Sequence, residues 1–224
     1  AGQAIAVRLQ AEIEGIAMAT RNVADAQSLM DTADGALGET HNILLRMREL
    51  AVQASNGTLN TDDNAALDAE FQQLEAEIDR INSSSKWAGS DLFTGSARVF
   101  HIGTKATDTL SHTIASMGAH DLGVDSSGPD NKLSTDAGGA AGDDTDNVDA
   151  DLTDATKAAA MITAVDNAIK LVSTERGKLG AVSNRLSSTI SNLDQVGVNL
   201  AASKGRIADA DFAAETGNLA KNQI

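Results

Sequence analysis

Between Ile162 and Leu200 the sequence repeats in alternating steps of three and four: Ile162, Val165, Ile169, Val172, Arg176, Leu179, Ser183, Leu186, Ile190, Leu193, Gly197 and Leu200. Nine of these twelve are large and apolar. A 3-4 alternation averages 3.5 residues per turn, which keeps an apolar seam on one side of a helix only when that helix winds around a partner. At 1.5 Å per residue the 39 residues make a rod of roughly 58 Å, too long to bury its own stripe. The chain must supply at least one more long helix beside it.

The first segment carries the same signature. Ile16, Val23, Met30, Leu37, Leu44 and Ala51 recur every seventh position, and Leu29, Ala36, Ile43 and Leu50 form a second row alongside. Two rows on one helix predict burial against more than one neighbour, as in a bundle. The helix is expected over about residues 1–54, stopped by Asn56-Gly57. Gly15, Gly35 and Gly38 within it mark either close packing or a local break. A second helix, about 61–82, takes Thr61 as N-cap and has the stripe Leu67, Phe71, Leu74, Ile78 and Ile81. From Trp87 the pattern changes to short alternation, Arg98 to Ile102 and Leu110 to Ile114, which predicts a hairpin in the region 87–122. Residues 123–151 are Gly, Ser, Asp and Ala with few large apolar side chains, a polar linker. The third helix is expected over about 158–203, with a break at Gly205. A restart follows at Ile207, capped by Asp209 or Asp211 and bearing a weak row of Phe212, Leu219 and Ile224. The fold class is therefore mainly α: an elongated bundle of long coiled-coil-like helices with a small β-hairpin region.

Composition narrows the function. One proline, Pro129, leaves room for long uninterrupted helices. Aromatics are 2% of residues, too few for an aromatic-lined pocket or for base stacking. The formal charge of −15, from 17 basic and 32 acidic residues, repels phosphate backbones, so no nucleic-acid partner is expected. The absence of Cys excludes disulfides, thiol nucleophiles and Cys-ligated zinc. No apolar run reaches the length of a membrane helix.

No catalytic constellation is found. The acidic run Asp143, Asp144, Asp146, Asp149, Asp151 and Asp154 lacks the glycine and closing Glu of an EF-hand loop and reads as a solvated linker. His41, His101, His112 and His120 include no pair at zinc-site spacing on a helix. There is no GxSxG, Walker or dinucleotide fingerprint, and no nucleophile with an identifiable base. Neither an enzyme, a cofactor nor a metal is expected. Arg176 is the odd member of the seam, because a guanidinium there is costly unless paired. Either the seam reaches solvent or bends at Gly177 and Gly180, or a buried pair sets register.

Several stretches carry a family resemblance. The opening Ala1-Gly2-Gln3-Ala4-Ile5-Ala6, the block LLRMRELAVQA from Leu44 to Ala54 and the step Glu77-Ile78-Asp79-Arg80 are three of them. The others are Lys178-Leu179-Gly180-Ala181 leading to Asn184-Arg185-Leu186, and Arg206-Ile207 to Asp211-Phe212. In order and spacing they resemble bacterial flagellin. The resemblance implies a structural subunit of the flagellar filament, exported through the flagellar channel with its export machinery and chaperone, and assembled with other flagellin subunits outside the cell. It further implies that the chain is one discontinuous first outer domain. On this view residues 123–151 replace large outer domains, 205–224 begin the C-terminal inner-tube segment, and flanking terminal segments are missing, so that the chain alone does not polymerise. In flagellins of several proteobacterial groups a Toll-like innate immune receptor reads this domain. The matching residues here are Arg46, Leu50 and Glu77, which also read as a helix-surface charge, a bundle-core leucine and a second surface charge. A cell-surface adhesin or carbohydrate receptor on the same scaffold and a hook–filament junction protein are the competing classes.

Overall fold

The computed structural model describes residues 2–124 and 151–222. Three helices dominate: α1 (Gly2–Ala54), α2 (Thr61–Ser84) and α3 (Ala155–Asn222). Between α2 and α3 lie four short strands, β1 (Lys86–Trp87), β2 (Ser90–Asp91), β3 (Ala97–His101) and β4 (Thr109–Thr113). β1 pairs antiparallel with β2, and β3 pairs with β4. The seven-residue link between β3 and β4 is too short for a parallel crossover, so the second pair is also a hairpin. The chain forms two compact units, one of residues 1–29, 98–112 and 182–224, the other of 30–97 and 113–181.

The strictest periodicity lies on α1. Ile16, Ala19, Val23, Ala26, Met30, Ala33, Leu37, Thr40, Leu44, Met47, Ala51 and Ala54 follow a 3-4 alternation without a slip, and all are buried. One seven-spaced row is the one visible in the sequence. The other is made of Ala, Thr and Met, and the small members let a neighbouring backbone approach closely. The row expected from Leu29, Ala36, Ile43 and Leu50 is only half realised: Leu29 and Leu50 are buried, Ala36 and Ile43 half-buried.

On α3 the seam is displaced in the same way. Val165, Val172, Leu179 and Leu186 are fully buried, but the row completing them is Met161, Ala168 and Glu175. Ile162, Ile169, Ile190, Leu193 and Leu200 are half-buried flanks.

In the second unit, α2 lies with α1 and α3. Its buried line is Asn64, Asp68, Phe71, Glu75 and Ile78, whereas Leu67, Leu74 and Ile81 are half-buried. Buried Asp68 on α2 and Glu175 on α3, with the less buried Asp79 and Asn82 of α2, hold main-chain donors of irregular segments. Asp68 Oδ1 accepts from the Leu152 amide at 2.9 Å, Asp79 Oδ1 from Ala119 at 2.8 Å and Asn82 Oδ1 from Met117 at 3.1 Å. From α3, Glu175 Oε1 accepts from Ala115 at 3.3 Å. A buried backbone N–H without an acceptor costs about as much as a lost hydrogen bond, so Asp79, Asn82 and Glu175 let segment 114–124 pack its Ile114, Met117, Leu122 and Val124 inside. Val124 is fully buried. Residues 123 and 124, expected in the polar linker, therefore belong to the packed segment. Gly123 turns at φ +72°, where a side chain would be strained, and its N–H bonds to the His120 carbonyl.

α1 and α3 are antiparallel in both units. In the second unit Arg48 pairs with Asp166 at 2.6 Å and Arg176 with Asp34 at 2.7 Å. In the first, Gln27 meets Ser187, and Lys204 donates to Gln10. Arg176 is half-exposed and two-pronged on Asp34, which holds its guanidinium above the ordinary value through the hydrogen bond to that carboxylate. The helix runs uninterrupted through Gly177 and Gly180; the charge that is buried is its neighbour Glu175, which also takes Lys178 Nζ at 2.9 Å.

Four local features depart from the sequence reading. Asn60, not Thr61, caps α2: its side chain accepts from the Asp63 amide at 2.8 Å while the Asp63 carboxylate takes the Asn60 N–H, a capping box. α3 starts earlier, at Ala155, because Asp154 Oδ1 accepts from the Thr156 amide at 2.6 Å. α3 also runs through Gly205 to Asn222, so Asp209 and Asp211 are interior positions of the helix and not caps. A lone glycine costs a helix only about 1 kcal/mol, too little to break one that continues on both sides. Finally, β1 and β2 form an extra two-residue hairpin that needs Ala88 and Gly89 at positive φ. Ile224 and residues 125–150, with Asp143 to Asp149 of the acidic run, lie outside the described residues.

Of the three α1 glycines only Gly15 marks a close approach. A Cβ there would lie 3.1 Å from Thr104 Cγ2, in the β3–β4 loop. Gly35 and Gly38 face no atom within 4 Å and leave the helix unbroken, so neither reading offered for them holds.

This packing can be tested by mutation. Leu186→Ala, at a fully buried site, should cost about 2–5 kcal/mol in denaturant unfolding by cavity formation, and Leu193→Ala, at a half-buried one, distinctly less; equal losses would mean that α3 is rotated from the orientation described. Gly35→Ala and Gly180→Ala should each add about 0.5–1 kcal/mol, since both are helical and open. Gly15→Ala should gain less, because Thr104 has to shift; calorimetry on the three variants separates the cases.

Candidate assembly and recognition surface

With no catalytic constellation in the sequence, the functional surface is read from what is exposed. Among the described residues no group of three or more His, Asp or Glu is arranged to hold a metal ion, and no helix is long and apolar enough to cross a membrane. Of the acidic run, the two described members serve local structure. Asp154 caps α3. Asp151 takes Lys157 Nζ at 2.7 Å and the Thr153 hydroxyl at 2.6 Å. Burial pushes the Asp151 carboxyl up, but the hydrogen bonds from Lys157 and Thr153 outweigh it and hold the group below the usual aspartate range.

The two units present different surfaces. In the first, Ile5, Val7 and Met18 on α1, Val99 on β3, and Val196, Val198 and Leu219 on α3 are large apolar side chains left in water. In the second only Leu45 and Val52 are comparable among the described residues. The second unit instead carries paired charges. Arg46 spans two helices: its Nε and Nη2 reach Glu70 Oε1 at 2.9 and 2.7 Å, and its Nη1 reaches Glu49 at 3.0 Å. These hydrogen bonds, first that to Glu70 and then that to Glu49, raise its pKa. About two turns beyond Glu70 along α2, Glu77 grips Arg80 through both carboxylate oxygens at 2.7 and 2.6 Å. The Arg80 guanidinium holds the Glu77 carboxyl below its usual range, against the smaller opposing effect of burial. Such exposed pairs orient side chains and contribute little to stability.

Arg46, Leu50 and Glu77 are thus not equivalent. The Arg46 and Glu77 side chains are 48% and 41% exposed, and Leu50 is 1% exposed. Arg46 and Leu50 are one helical turn apart, yet the first points to water and the second closes the core. Sequence spacing places them on adjacent lines and does not say where the boundary of burial falls. The pairing of Arg46 with Glu70 has no local signature either, because the partners are 24 residues apart.

The pattern of the bacterial flagellin N-terminal helical region matches residues 1–98, and that of the C-terminal helical region matches residues 162–224. The chain belongs to the bacterial flagellin family. Flagellin of Bacillus subtilis (strain 168) is 39% identical over 247 residues, covering all of this chain and 78% of the relative. Flagellin of Halalkalibacterium halodurans is 39% identical over 226 residues, covering all of this chain and 75% of the relative. Among solved structures, Bacillus cereus flagellin is similar with a TM-score of 0.61 and 31% identity, over 77% of this chain and 88% of the other. Flagellins are the structural subunits of the flagellar filament.

Scaffold and surface roles separate by mutation. Leu50→Ala should lose about 2–5 kcal/mol of folding stability, as a fully buried leucine does. Arg46→Ala and Glu77→Ala should melt within error of the parent. A large destabilisation by either charge variant, measured by thermal melts in low and high salt, would show that the pairs hold the bundle together.

Proposed function

We propose that this flagellin acts purely as a filament subunit: it polymerises with copies of itself outside the cell, provides motility, and carries out no chemical reaction. The observation that carries the reading is the match of both flagellin helical regions to the two ends of one chain. The concentration of exposed apolar side chains in the unit built from those ends supports it. On the same family grounds its partners before assembly are the flagellar export machinery and a chaperone, and its final location is the extracellular filament. The adhesin and hook–filament junction readings gain nothing from the surface: sugar sites favour aromatic platforms, and Trp87 is the chain's one tryptophan. The gene that encodes this chain, expressed in full in a bacterium lacking its own flagellin, should restore motility and long filaments that an antibody against this chain decorates along their length under the electron microscope. Decoration confined to the hook end, or cell-surface product without filaments, would overturn the reading.

A second role rests on resemblance and on one specific observation, the exposure of Arg46 and Glu77 in the same unit. We extend the proposal to recognition of these two side chains by a Toll-like innate immune receptor, with Leu50 acting from the core by holding α1 in place. An Arg offers a planar five-donor fork and is enriched at binding hot spots. Arg46→Ala should weaken binding to the receptor ectodomain on the order of tenfold or more if it is a hot spot, with an unchanged melt. Absence of parental binding at micromolar concentration would leave the filament role standing and remove this one.

A further inference from the structure

We propose that Asn56 is a site of spontaneous deamidation and isoaspartate formation, a covalent ageing mark in the link between α1 and α2. The proposal concerns the chemistry of the link and is independent of the filament reading. Asn56-Gly57 is the one Asn-Gly step in the sequence. It follows the end of α1 at Ala54 and precedes the Asn60 cap of α2, and both residues are exposed. The Asn56 amide donates to Gln53 and its carbonyl accepts from Leu59 at 3.2 Å, but the Gly57 N–H has no backbone acceptor among the described residues. No atom lies within 4 Å of where a Gly57 side chain would start. The nucleophile is therefore neither tied up in a hydrogen-bond ladder nor shielded, and the peptide around it has the freedom a glycine confers.

The reaction needs only water. The Gly57 backbone nitrogen attacks Asn56 Cγ; the new C–N bond closes a five-membered succinimide, the Cγ–Nδ2 bond breaks, and ammonia leaves with the proton lost from the Gly57 nitrogen. Water then opens the ring. Cleavage of the ring bond to Cγ yields an ordinary aspartate in place of Asn56. Cleavage of the bond to the former Asn56 main-chain carbonyl yields isoaspartate, in which the backbone runs through the side-chain carbon. Either product adds a negative charge, and the second adds a methylene to the link.

Other sites of similar sequence are protected by the fold. Asp34-Gly35 has the same tendency to form a succinimide, but Gly35 lies in the interior of α1, where its N–H belongs to the helical ladder. The Asp34 carboxylate is itself held by Arg176. Asn60 uses its side-chain oxygen to cap α2, and Asn64 is buried in that helix.

The test uses peptide mapping. Trypsin cuts after Arg48 and Arg80 and so releases one peptide that contains Asn56, Asn60 and Asn64. After storage of the folded protein at mildly alkaline pH, fragmentation mass spectrometry should show amide-to-acid conversion accumulating at Asn56 with Asn60 and Asn64 intact. Isoaspartate should exceed aspartate, and a protein isoaspartyl methyltransferase should label the aged sample. Gly57→Ala fits the open space without a positive φ and should keep the parental melt while losing the conversion. Conversion of Asn56 no faster than of Asn60 and Asn64, or undiminished in Gly57→Ala, would overturn the proposal.

Discussion

Twelve positions of α1, from Ile16 to Ala54, alternate in steps of three and four, and every one is buried. That unbroken seam is the constraint on which the rest of the molecule depends. A 3.5-residue period stays buried over many turns only against other helices that follow it, so α3 runs antiparallel to α1 within each unit and α2 fills the second. Each large member such as Leu37 or Leu44 contributes about 1.5–3 kcal/mol by leaving water. The alanines between them contribute little area individually; their role is to admit a close neighbour. Beside the seam, the exposed flanks of α1 carry Arg46 and Arg48, which reach Glu70 of α2 and Asp166 of α3.

Helices alone would leave the segment between β4 and the end of the first described stretch without acceptors. Asp79, Asn82 and Glu175 supply them, reaching from α2 and α3 to the amides of Ala119, Met117 and Ala115, and Asp68 does the same for Leu152 ahead of α3. Polar side chains of α2 and α3 are thus the means by which irregular backbone is packed against a helical core. They explain why a chain of formal charge −15 places carboxylates inside as well as outside.

The same division governs function. A filament subunit must hold its shape while offering surface to copies of itself. Core and surface fall on neighbouring positions of one helix: Leu50 closes the core while Arg46, one turn away, reaches across to Glu70 in water. A residue shared with relatives of known behaviour can therefore belong to the scaffold, and burial is what sorts it from the surface.

Residue periodicity by itself determined that the chain folds into long helices, since no other structure uses a 3-4 repeat, and the motifs of the two ends determined the family. It also contained one buried row of each long helix, Val23 to Ala51 on α1 and Val165 to Leu186 on α3, because large apolar residues announce themselves. The companion rows were silent: alanine, threonine, methionine and glutamate at 19, 26, 33, 40, 47 and 175 are buried in the fold without standing out as an apolar row in the sequence. The Asn60 and Asp154 caps are local signals, but Thr61 and a later start compete with them on equal chemical terms. Two things were settled by the tertiary structure alone: the partner of Arg176 and the continuity of α3 through Gly205. Each depends on atoms distant in the chain, or on the small cost of a glycine set against a long helix, and neither quantity is written in local sequence.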